Sequence, residues 1–142
     1  MKISREKLKV NLALSLHAAD DALRLKIMPK SGKFPIADIL AACNKYWREN
    51  GSEFTIEYIL LKDVNDSKVH AEALADLLEK ARLPALPKIN LIPQNPVPGI
   101  ALAPATVERA RSFFNMLRRR KFNVHTRKPQ GQDLEAACGQ LQ

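Results

Sequence analysis

The order in which two hydrophobic periodicities alternate along the chain constrains its fold more than any other feature. Val10–His17 (VNLALSLH) is a short apolar run with little polar alternation, the pattern of a strand buried on both faces. Pro35 opens a stretch that places Ile36, Ile39, Leu40, Cys43 and Trp47 on one helical face, and Asn50-Gly51 closes it. Phe54–Leu61 (FTIEYILL) is a second strand-like run, rich in β-branched and aromatic residues. Asn65-Asp66-Ser67 then caps a helix to about Lys80, with Val69, Ala73, Leu74, Leu77 and Leu78 apolar. Lys88–Ile92 gives a third strand, ended by a loop containing Pro93, Pro96 and Pro98. Pro104 suits a helix start, and that helix runs to about Lys121 with Val107, Ala110, Phe114 and Leu117 inward. Phe122–Arg127 is a fourth strand-like run, and the chain shows no internal repeat.

Alternation of this kind implies parallel strands joined by right-handed crossovers, hence an α/β fold. Four such strands are too few to close a barrel, so the sheet is open or forms part of a larger (β/α) barrel. Ligands of parallel sheets gather at the C-terminal ends of the strands. Three places qualify: Ser15-Leu16-His17, the loop over Pro93–Gly99, and the segment after Arg127.

Length and charge narrow the class. A chain of 142 residues fits a single domain with a real core. No apolar run approaches the ~20 residues of a membrane span, and the charged start MKISREKLKV lacks the apolar middle of a signal peptide. The expectation is a cytoplasmic protein without a membrane partner. The net charge of +8 is uneven: residues 1–66 carry 11 Lys and Arg against 9 Asp and Glu, whereas residues 67–142 carry 12 against 6. Arg109, Arg111, Arg118, Arg119, Arg120, Lys121, Arg127 and Lys128 form a run without an acid. Such a run attracts a polyanion in a salt-dependent way; its ordinary reading is a solvated helix end whose cations favour the helix dipole. The only cysteines are Cys43 and Cys138, too few for a metal or iron–sulfur site within this chain. Cys43 lies on the apolar helix face and reads as core, and Glu57, inside a strand, reads as an internal ion pair.

Four segments, NLALSLHA, EYILLKDVNDS, KINLIPQNPVPG and DLEAACGQL, occur in an order and spacing that resemble one family. From about Lys7 to Leu141 the chain is similar to the C-terminal half of the radical S-adenosylmethionine methyltransferases that methylate an adenine of large-subunit ribosomal RNA. Housekeeping members also act on a transfer RNA, and sister enzymes that confer antibiotic resistance modify a different carbon of the base. The resemblance implies half of a radical-enzyme barrel. It also implies S-adenosylmethionine as cofactor and a 4Fe-4S cluster in the full-length enzyme. Cys138 matches the cysteine that carries the methyl group, a role suited to a nucleophilic thiolate. Ser15, Leu16 and His17 match the cofactor-contacting strand end, and Asn95 matches a cofactor-binding residue after the third strand. Arg118, Arg119, Arg120, Lys121, Arg127 and Lys128 become candidate RNA contacts.

The match is incomplete. The cluster motif C-x3-C-x2-C, the family's second redox cysteine and its N-terminal RNA-binding region are absent, and Pro129-Gln130-Gly131-Gln132 stands where housekeeping members have Thr-Arg-Gly-Asp. The expectation is an isolated chain that is inactive and carries no metal ligands of its own. It would need its missing half, or pair with itself through an exposed first strand. Two readings stay open: a catalytic half of an RNA adenine methyltransferase, and a non-catalytic basic RNA-binding module or remnant.

Overall fold

A computed structural model describes residues 12–92 and 103–126. In chain order the elements are β1 (Leu12–Ser15), α1 (Asp21–Ile27), α2 (Ile36–Asn50), β2 (Phe54–Ile59), α3 (Lys68–Lys80), β3 (Lys88–Ile92), α4 (Val107–Arg119) and β4 (Val124–Thr126). The four strands are parallel and lie in the order β1-β2-β3-β4, so each crossover joins neighbours. This is the expected α/β architecture, a barrel-like arc rather than a closed barrel.

Register explains which face carries the core. Ile56 lies opposite Ile89, which lies opposite Val124, and Tyr58 lies opposite Leu91. These side chains, with Phe54 and Leu16, are buried against Leu40 and Trp47 of α2, Leu74 and Leu78 of α3, and Phe113, Phe114 and Leu117 of α4. Trp47 meets Phe54 edge-on at 5.7 Å, and Tyr58 packs on Phe113 at 5.1 Å. A second, smaller cluster joins Ala18 and Ile27 of the α1 region to Ile59, Leu61 and Ile92 at the strands' C-terminal ends.

Local signals account for most boundaries. Gly51 ends α2 in the left-handed conformation (φ 69°) and its N–H returns to the Trp47 carbonyl at 2.7 Å. Ser67 caps α3, with its hydroxyl and the His70 side chain forming a reciprocal capping box.

Several expectations need correction. β1 is not buried on both faces, since Ala13 is exposed. Its described portion ends at Ser15, because His17 turns out of the strand at φ 62°. Pro104 does not start α4: it forms an antiparallel bridge with Leu61, while Thr106 is the cap and accepts the Arg109 N–H at 3.2 Å. Val107 is then exposed, as are Val69 and Ala73, because Phe113 and Phe114 in α4 and Ala71 and Ala75 in α3 set the buried faces. The short helix α1 was not expected at all.

Candidate functional site at the strand ends

The first strand's C-terminal end is held from two sides. From the α1 side comes Arg24, only 3% exposed. Its Nε donates to the Leu16 carbonyl at 3.1 Å, Nη2 to the Ser15 carbonyl at 3.0 Å and Nη1 to the Ser31 carbonyl at 3.3 Å. A guanidinium fork is the group that can reach three carbonyls from one point. Burial lowers its pKa from the ordinary arginine value, an effect that Asp21 partly offsets.

From the other side comes Asn65, fully buried in the loop after β2. Its Nδ2 donates to the carbonyls of His17 and Ile59, both at 2.8 Å, and its Oδ1 accepts the Leu61 N–H at 2.8 Å. The Tyr58 hydroxyl donates to the Asn65 carbonyl at 2.9 Å. Burial, followed by the charges of Asp66 and Asp20, raises the pKa of that phenol.

His17 sits between these anchors. Its Nδ1 accepts the Ile59 N–H at 2.9 Å, which fixes the neutral ring in the tautomer that carries its proton on Nε2. Burial, with a smaller contribution from Arg24, lowers its pKa to about 4. The imidazole is therefore a hydrogen-bond donor without charge near neutrality. Leu16 differs from its neighbours. Its side chain is fully buried in the helix-side core, its N–H donates to the Glu57 carbonyl at 2.9 Å, and Arg24 takes its carbonyl. What Leu16 contributes is the placement of Ser15 and His17.

The sheet face away from α2, α3 and α4 carries a polar row. Ser15 lies opposite Glu57, Glu57 opposite Asn90, and Asn90 opposite His125. Neighbouring strands are ~4.8 Å apart, so a hydroxyl, a carboxylate, a carboxamide and an imidazole follow one another at that interval. Ser15, Glu57 and Asn90 are half-buried and His125 is exposed. Sequence reasoning missed Asn90 and His125; the signal available was a polar residue breaking each apolar strand at the position that register brings together.

The basic run divides. Arg120 is engaged by Asp76 at 2.7 Å and Glu79 at 2.8 Å, contacts that raise its own pKa and lower that of Asp76. Arg118 lies over the Phe114 ring at 5.6 Å. Arg119 lines a cavity between α3 and α4, and Lys121 adopts a left-handed φ of 75° beyond the helix. Cys43 is half-buried against the core, and burial pushes its thiol pKa up, as expected of a packed rather than reactive cysteine. Asn95, Arg127, Lys128 and Cys138 lie outside the described residues. Among the described residues no group of three His, Cys, Asp or Glu could hold a metal ion, and no helix is long and apolar enough to cross a membrane.

No protein-family model matches the chain. Individual proteins do. It is 44% identical over 137 residues to a dual-specificity RNA methyltransferase RlmN of Erythrobacter litoralis, which covers 96% of this chain and 32% of the relative. A probable RlmN of Pelotomaculum thermopropionicum is 43% identical, covering 99% of this chain and 37% of the relative. The crystal structure of a radical SAM methyltransferase from Sphaerobacter thermophilus superposes with a TM-score of 0.81 at 42% identity, over 98% of this chain and 40% of that one. A domain of a pyruvate-formate lyase-activating enzyme from Bacteroides vulgatus shares the fold, with a TM-score of 0.69 at 19% identity. The chain spans about a third of the length of the curated relatives it matches. Over nearly its whole length it is thus homologous to a portion of the RlmN-type radical SAM RNA methyltransferases.

Proposed function

We propose that this chain supplies the C-terminal part of a radical S-adenosylmethionine methyltransferase core that acts on adenine in large-subunit ribosomal RNA, and on transfer RNA where the enzyme is dual-specific. The observation that carries the proposal is the fixed strand end. Arg24 and Asn65 hold Ser15–His17 rigidly at the site where parallel sheets bind ligands, and the same segment falls within a match of 43–44% identity to RNA methyltransferases. In this reading Ser15 offers its hydroxyl and His17 its Nε2 proton to S-adenosylmethionine, with Asn95 completing the contacts. The cofactor supplies an activated methyl on a sulfonium and, when cleaved reductively, a carbon radical. Cys138 would be the thiol that accepts this methyl, its proton passing to solvent.

An iron–sulfur cluster does not fit the residues of this chain. Such a cluster is held by several thiolates, whereas the sequence offers only Cys43, half-buried in the core with its thiol pKa raised, and Cys138.

Mass analysis of the tryptic peptide Lys128–Gln142 from protein made in its own cell tests the proposal. An added methyl on Cys138 is the expected result. A wholly unmodified thiol overturns it in favour of a basic RNA-binding module without methyl transfer.

A further inference from the structure

The groove between α3 and α4 combines features that the strand-end site does not use. Arg109, Ser112, Met116 and Arg119 recur at intervals of three and four, which places them on one face of α4. Together with Asp66 and Lys68 they line a cavity of about 330 Å³, at the lower end of the ~300–1,000 Å³ typical of ligand pockets. Lys68 is the first residue of α3, so the positive end of that helix faces the same region as the three cations. Of the basic residues nearby, Arg120 pairs with Asp76 and Glu79 and Arg118 lies over the Phe114 ring, while Arg109 shares its guanidinium with Asp63 at 3.4 Å. Lys68 and Arg119 are thus the cations of the groove with no carboxylate within 4 Å among the described ion pairs.

Asp66 adds the second requirement. Its side chain is 1% exposed, and its Oδ1 accepts the Asp63 N–H at 3.1 Å. Its Oδ2 has no hydrogen-bond partner, the Arg109 Nε standing at 3.9 Å, beyond bonding distance. A buried carboxylate oxygen in that state calls for a donor. A simple anion would satisfy the cations and repel Asp66, whereas a neutral hydroxyl compound would satisfy Asp66 and leave the cations to water. One ligand class answers both, a phosphate joined to a sugar hydroxyl.

We propose that this groove is a ribose-phosphate subsite for RNA, in which Lys68, Arg109 and Arg119 hold a backbone phosphate and Asp66 accepts from the adjoining 2′-hydroxyl. Met116 supplies an apolar wall for the sugar. The subsite rests on the RNA reading above only for the identity of the polymer; its lining residues are other than those that hold the strand end. Because DNA lacks the 2′-hydroxyl, the groove distinguishes the two polymers.

The test is fluorescence anisotropy of the full 142-residue chain with a single-stranded RNA 12-mer and the DNA of the same sequence, from about 50 to 200 mM salt. The expected result is tighter binding of RNA. Arg119→Gln and Lys68→Gln should each weaken it several-fold and reduce the salt slope by part of the ~0.7 that one phosphate of a single strand contributes. Arg120→Gln should leave binding unchanged. Ser112→Glu, at an exposed position, places a carboxylate in the groove without disturbing Asp66 and should weaken RNA binding further. Asp66→Asn should erase the preference for RNA while retaining DNA binding. Equal affinity for RNA and DNA, or equal effects of Arg119→Gln and Arg120→Gln, overturns the subsite. Failure to bind either polymer also overturns it. Methylation of Cys138 is read independently, so loss of the groove leaves the methyltransferase reading standing, and the reverse also holds.

Discussion

Acidification should destabilise this protein through one histidine, and the size of the effect follows from the structure. His17 is 5% exposed, and its Nδ1 accepts the Ile59 N–H. Protonation would set one N–H against another in a buried site that already holds the Arg24 guanidinium. Its pKa is accordingly lowered from 6.5 to about 4, by burial first and by Arg24 second. The unfolded chain therefore binds this proton more readily than the folded chain between those two values. The sign follows from linkage: the stability of the neutral histidine is fully present above pH 6.5, declines as pH falls, and is lost by about pH 4. With 1.36 kcal/mol per pKa unit, the total loss is about 3 kcal/mol.

Carboxylates titrate in the same range, so the measurement needs a reference that lacks only the imidazole. His17→Asn serves, because asparagine tolerates the left-handed φ of 62° and its Oδ1 can accept the Ile59 N–H in place of Nδ1. Urea unfolding of both proteins at intervals from pH 8 to pH 4 should give curves that run together above about pH 6.5 and then diverge, the wild type losing about 3 kcal/mol more. The nitrogen shifts of the His17 ring should report Nε2 protonated and Nδ1 bare throughout the upper part of that range. Parallel stability curves would refute the reasoning, as would a ring that titrates near its ordinary value.

Three further substitutions probe the same region. Arg24→Met removes the donors to the Ser15, Leu16 and Ser31 carbonyls and should cost about 3 kcal/mol by urea unfolding; a loss under about 1 kcal/mol would show that the three bonds do not act together. Asn65→Ala leaves the Leu61 N–H and the His17 and Ile59 carbonyls without their partner and should cost about 2–4 kcal/mol, with faster amide exchange at Leu61. Gly32→Ala would place a Cβ 2.6 Å from the Arg24 and Met28 carbonyl oxygens, both of them backbone atoms, and should lower the melting temperature far more than Gly51→Ala. At Gly51 nothing lies within 4 Å of the added Cβ and only the left-handed φ opposes it, at about 1–2 kcal/mol.

The parallel sheet was legible because each strand announces itself by composition and each long helix by a face three to four residues wide. α1 was not, because seven residues give too few turns for a period to show, and its Asp20 cap stands in a polar stretch that reads equally well as loop. Arg24 escaped notice for a related reason. A lone arginine in a short polar segment is ordinarily solvated, and only the fold brings three carbonyls to it. Asn65 was visible as part of a capping trio, but the trio hides a division of labour. Ser67 caps α3, Asp66 faces the α3–α4 groove, and Asn65 turns back to join the ends of β1 and β2. Sequence offered three polar residues for one cap; tertiary structure uses one as the cap and frees two.

That division ties the two candidate sites together. Residues 65–67 are consecutive, so Asn65 cannot shift to follow a ligand at His17 without moving the backbone that places Asp66 in the groove. Asp63 reinforces the link, since its N–H donates to Asp66 Oδ1 and its carboxylate reaches Arg109 Nη2 at 3.4 Å. The loop after β2 thus contacts both the strand end and α4. Any coupling through these contacts is a free energy and must be reciprocal. If RNA in the groove draws Arg109 toward its phosphate, the Asp63–Arg109 contact weakens, and the loop loses a restraint at one end while Asn65 still clamps the other. Asn65→Ala should therefore do more than lower stability. It should loosen the register between His17 and Asp66, so that the RNA-over-DNA preference falls even though no residue of the groove has been altered.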